Sequence, residues 1–102
     1  MNENEPLPTL LQADWSRDQV LALFADLAAG AIVQQVQLRT TSSDQPVTLA
    51  DAEASFVADQ AKAIQVRYRF EGELWSDTII PGDPTTKIIR NRLPSGTAIR
   101  DD

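Results

Sequence analysis

The sequence predicts an α+β domain, with elements in the order α-β-α-β-β-β and two helices packed on one face of a four-stranded, mostly antiparallel sheet. Three observations predict it. An apolar stripe at helical spacing follows a complete N-capping signal at Ser16. Period-two alternation takes over as soon as that stripe ends. Three further alternating runs, separated by turn-forming residues, fill positions 64–93.

The first helix spans residues 17–29. Ser16 is its N-cap and Gln19, three residues on, completes a capping box. Trp15 precedes the cap and is placed to pack on Val20 as a hydrophobic staple. Asp18 lies in the first turn, where the helix dipole favours an anion. Val20, Leu23, Phe24 and Leu27 form one apolar stripe, and Gly30 is a natural stop.

From Ala31 to Thr40 the period changes to two. Ile32, Gln34, Val36 and Leu38 share one face of a strand, and Val33, Gln35, Gln37 and Arg39 share the other. The polar run 41–46 reads as a loop. Thr48 then caps a second helix, expected over 49–62, with Ala50, Ala54, Val57 and Ala61 on its inner face. Neither Gly nor Pro ends that helix; only the change of period near Ala63 does.

Three strands follow. Ile64, Val66, Tyr68 and Phe70 alternate with Gln65, Arg67 and Arg69. Leu74 to Ile80 form the second strand and Lys87 to Leu93 the third, joined by the stiff turn Pro81-Gly82-Asp83-Pro84. Two registers are open at the Glu71-Gly72 turn. A two-residue turn pairs Tyr68 with Trp75 and Val66 with Asp77, which sets an acid on the apolar face. A three-residue loop pairs Arg69 with Glu73 and Arg67 with Trp75. One residue of slip turns every side chain over, and the three-residue loop is expected because it keeps Asp77 off the core. Residues 1–8 read as a disordered arm, 9–93 as a single α+β domain and 94–102 as a flexible tail.

Two absences narrow the chemistry. The chain has no cysteine, hence no disulfide, no iron–sulfur cluster and no thiolate zinc site. It has no histidine, which removes the Ser-His-Asp triad and nearly every transition-metal site. There is no acidic calcium loop, so no metal and no cofactor is expected. Residues 82–87 have something of a phosphate loop, but the spacing of that motif is missing and Pro84 lacks an amide donor.

The net charge is −6, unevenly spread: residues 1–62 carry −6, residues 64–93 carry +1 and the remainder −1. An acidic chain disfavours phosphate backbones and anionic membranes. The N-terminus lacks the pattern of a signal peptide and no apolar run is long enough to span a bilayer, so a cytoplasmic location is the default expectation.

With the expected register, the sheet face away from the helices carries Arg67, Arg69, Trp75, Asp77, Ile79, Ile88, Arg90 and Arg92, joined by Val33, Gln35, Gln37 and Arg39 from the first strand. Arginine, tryptophan and scattered isoleucines are the composition of an interaction surface. The leading expectation is therefore a small non-catalytic interaction protein, holding an acidic protein partner or a second copy of itself in a two-fold homodimer. Nucleic acid is disfavoured, because only Trp75 offers a stacking ring. The alternative is a small-molecule-binding or catalytic domain with a pocket between sheet and helices, in which Tyr68 and Asp77 are the leading polar groups.

Overall fold

Ser16 caps the first helix as its neighbours dictate. In the computed structural model, which describes residues 10–94, the Gln19 amide donates to Ser16 Oγ at 3.2 Å and the Ser16 amide donates to Gln19 Oε1 at 2.8 Å. The helix α1 (Arg17–Gly30) buries Val20, Leu23, Phe24 and Leu27, the predicted stripe. Each fully buried side chain of this size contributes about 1.5–3 kcal/mol. Trp15 packs against the same cluster.

The remaining elements are β1 (Leu10–Trp15), β2 (Ile32–Arg39), β3 (Asp44–Pro46), α2 (Leu49–Val57), β4 (Ala63–Phe70), β5 (Glu73–Ile80) and β6 (Thr86–Leu93). They form α+β architecture: two helices on one face of a six-stranded antiparallel sheet ordered β1-β6-β5-β4-β2-β3. The expected four strands are all present, and β2 lies beside β4. Two edge strands add to them. β1 precedes α1 and pairs with β6, and β3 forms within the expected polar loop, where Asp44 pairs with Arg39. The arm predicted over 1–8 and all but the first residue of the tail predicted over 94–102 lie outside the described residues. No helix among the described residues is long and apolar enough to cross a membrane.

α2 ends five residues before its expected limit. Asp59 adopts φ 60°, a left-handed conformation that aspartate tolerates better than most residues. The Asp59 and Gln60 amides turn back to the Phe56 and Ser55 carbonyls. Arg17 of α1 seals this end, donating Nη2 to the Val57 carbonyl at 2.6 Å and Nη1 to Asp59 Oδ1 at 3.2 Å. Its guanidinium also lies 5.2 Å from the centre of the Phe56 ring. One side chain thus satisfies a carbonyl the helix leaves open and ties the two helices together.

The hairpin register differs from the expected one. Glu71 and Gly72 form a two-residue turn with φ 52° and 80°, both positive as the favoured hairpin turn requires. Phe70 pairs with Glu73, Tyr68 with Trp75 and Val66 with Asp77. β6 follows β5 in register, so its faces are inverted with it: Asp77 lies across from Arg90, Trp75 from Arg92 and Ile79 from Ile88. Leu74, Ile80, Ile89 and Leu93, expected beneath the helices, occupy the other side. β2 is corrected as well. A bulge at Gln34 puts Val33 beside Tyr68 and Val36 beside Val66, and Ile32 is left exposed. The core is Val36, Leu38, Ile64, Val66, Tyr68, Ile79 and Ile88 against the stripe of α1 and against Ala52 and Phe56 of α2, whereas Ala50, Ala54 and Val57, expected on the inner face of that helix, are exposed.

Candidate functional site

The inverted register builds an ion pair into the helix-covered side of the sheet. Asp77 is 0% exposed. Its carboxylate accepts Arg90 Nε at 2.8 Å and Arg90 Nη2 at 2.9 Å, a bidentate pair. The Tyr68 hydroxyl donates to the same carboxylate at 3.1 Å. Three adjacent strands supply the three groups: Tyr68 from β4, Asp77 from β5 and Arg90 from β6.

Burial raises the Tyr68 phenol well above its ordinary pKa, and the negative charge of Asp77 pushes in the same direction. The hydroxyl therefore remains a donor throughout the physiological range. The Arg90 guanidinium is held more firmly protonated than usual, chiefly by its hydrogen bonds to Asp77. Neither Tyr68 nor Asp77 is free to accept a proton from a substrate, because the first keeps its own and the second has its oxygens committed to two donors.

Arg90 is only half enclosed, with 31% of its side chain exposed. It opens into a groove of about 420 Å³ between α1 and the sheet. The α1 wall is built by Gln19, Ala22, Leu23, Asp26 and Leu27, which recur at helical spacing on one flank. Tyr68 and Arg90 form the floor, and Trp15 and Phe70 stand at its borders. Phe70 is exposed although it shares a sheet side with the core, since the groove lies beside it. The volume falls within the range of small-molecule sites.

The eight residues expected on one interaction face are divided. Trp75, Asp77, Ile79, Ile88, Arg90 and Arg92 share the helix-covered side, where Asp77, Ile79 and Ile88 are buried. Arg67 and Arg69 alone point to the open side, across from Ser76 and Leu74. Trp75 is half-buried against the core rather than displayed on the open face. Val33 leaves the open face too, while Gln35, Gln37 and Arg39 pair with the open-side residues Arg67, Gln65 and Ala63 of β4.

Tyr68 and Asp77, the polar groups expected in a pocket between sheet and helices, are brought together as a hydrogen-bonded pair. Arg90 as their partner, and Trp15, Gln19 and Asp26 as groove residues, were not anticipated. A signal for Arg90 was present: the two-residue turn, carried through to β6, sets Arg90 directly across from Asp77. Among the described residues no group of His, Cys, Asp or Glu is placed to hold a metal ion. No protein-family model, curated protein or solved structure matches this chain.

Proposed function

We propose that this chain is a binding protein whose groove beneath α1 takes a small amphipathic molecule with an apolar body and a hydrogen-bond-accepting head. The observation that carries the reading is the buried carboxylate of Asp77, which holds Arg90 and Tyr68 at the groove floor. A buried ion pair is a poor source of stability compared with apolar residues of similar size. Its use here is positional. A guanidinium has five N–H donors, and Asp77 engages two of them through Nε and Nη2. The exposed 31% of the side chain faces the groove and can donate to an acceptor on a ligand, with its geometry fixed from behind. Leu23, Trp15 and Phe70 offer the apolar contact for the body of that ligand.

Binding is favoured over catalysis because neither Tyr68 nor Asp77, the polar groups at the centre of the site, is poised to take a proton. Tyr68 keeps its own at neutral pH, and Asp77 is closed off by its two partners.

Fluorescence titration with dansylamide tests the reading, since this neutral probe has an apolar ring system and sulfonyl acceptors. Saturable one-to-one binding is expected. Ala22→Trp fills the groove from an exposed helix position and removes that binding with the melting temperature unchanged. Absence of saturable binding to the wild type, or equal binding to the Ala22→Trp variant, rejects the groove as the site.

A further inference from the structure

The side of the sheet without helices carries polar and charged groups of its own. On this side the strands present rows running from β4 to β6: Arg69, Leu74 and Leu93 in one, Arg67, Ser76 and Asn91 in the next, Gln65, Thr78 and Ile89 in the third. The middle row is polar throughout, with Ser76 itself buried beneath its neighbours at 4% exposed and out of a ligand's reach.

The charges on this side do not balance. Its acids are Asp14, which pairs across strands with Lys87, and Asp44, which bridges to Arg39 at 3.5 Å. Arg67 and Arg69 are exposed and form no ion pair among the described residues. Four basic residues against two acids leave this side at +2 on a chain of net charge −6. The uncompensated positive charge is concentrated at two positions of one strand.

We infer that the open sheet face is a docking surface for an extended acidic segment of a partner protein, with alternate carboxylates seated on Arg67 and Arg69. The spacing carries the choice of partner. Residues two apart on a strand present their side chains about 7 Å apart, as do alternate residues of an extended peptide laid along it. A carboxylate at the Arg67 row meets the exposed guanidinium. The next carboxylate meets Arg69, with half-buried Leu74 and Leu93 supplying apolar contact beside it. A single-stranded nucleic acid is less suited, because Tyr68, Phe70 and Trp75 all lie on the other side of the sheet and no stacking ring is offered.

Isothermal titration of the full chain tests this, using a capped octapeptide of alternating glutamate and threonine and its glutamine–threonine counterpart. The glutamate peptide is expected to bind at least about tenfold more tightly than the glutamine one, with affinity falling as salt rises. The double charge reversal Arg67→Glu, Arg69→Glu abolishes binding, and circular dichroism confirms that these exposed substitutions leave the fold intact. Equal affinity for the two peptides overturns the proposal, as does binding that survives the charge reversal. Tighter binding of an oligothymidylate than of the glutamate peptide also overturns it. Sedimentation of the wild type provides the last arm: a dimer that the charge reversal dissociates assigns the face to a second copy of the chain and overturns the peptide assignment.

Discussion

Asp77 and Arg90 face each other across two neighbouring strands, the carboxylate fully buried and the guanidinium reaching out of the core to the groove. The pair is held at 2.8 and 2.9 Å. Its removal is expected to be asymmetric. Asp77→Leu leaves Arg90 and Tyr68 without their acceptor and is expected to lower the unfolding free energy by about 3 kcal/mol, near the bottom of the range for broken buried pairs because Arg90 retains some solvent. The double variant Asp77→Leu, Arg90→Leu is expected to recover part of that loss. Urea melts of the three proteins check this, and a double variant less stable than the single one contradicts it.

Tyr68 is the chain's one tyrosine, so phenolate absorbance reports on it alone. Folding raises its pKa above the ordinary 10.0. The unfolded chain therefore releases this proton first, and stability that is fully present below pH 10 declines as the pH rises beyond it. The expected titration shows no ionisation step near the ordinary value while the protein is folded. Phenolate absorbance instead rises together with the loss of the circular dichroism signal. A separate step in the folded protein near the ordinary value would place the Tyr68 hydroxyl in solvent.

Glu71 holds φ 52° in the hairpin turn, a conformation unfavourable for most side chains. Asparagine tolerates it well, and Asn-Gly is the preferred pair for this turn. Glu71→Asn is accordingly expected to raise the unfolding free energy by about 1 kcal/mol, read as a higher denaturant midpoint at constant slope. Gly72→Val moves the midpoint the other way.

The capping box at α1 gives a simpler expectation. Ser16→Ala removes the acceptor for the Gln19 amide and is expected to cost about 0.5–2 kcal/mol. An unchanged thermal and urea midpoint would show that water replaces the hydroxyl there without loss.

What was legible in the sequence was mostly local. The limits of α1 agree to one residue, because the cap, the staple and the apolar stripe all lie within fifteen positions of one another. The central strands were legible through their alternation. Their faces were not, since both hairpin registers agree with the turn residues and only an acid on an apolar face argued between them. Asp77 is tolerated on that face because Arg90, on a different strand, neutralises it there. The edge strand β1 was hidden for a related reason. Leu11, Ala13 and Trp15 do alternate with Gln12 and Asp14, but the run is short, abuts the helix cap and becomes a strand by pairing with β6. α2 ran shorter than its apolar spacing implied because Asp59, a polar residue with no reputation as a helix stop, takes the left-handed turn. The groove draws its residues from β1, α1, β4 and β6 together, and of the linked groups Tyr68, Asp77 and Arg90 only the first two were anticipated in a pocket.

The two margins of the sheet are unlike each other. β3 is three residues long and closes on Pro46, which has no amide proton to offer a neighbouring chain. β1 runs for six residues without a proline and is the outermost strand on its side of the sheet. An open-ended chain of strand-to-strand contacts needs both margins, so the shortness of β3 and the proline that closes it work against such growth.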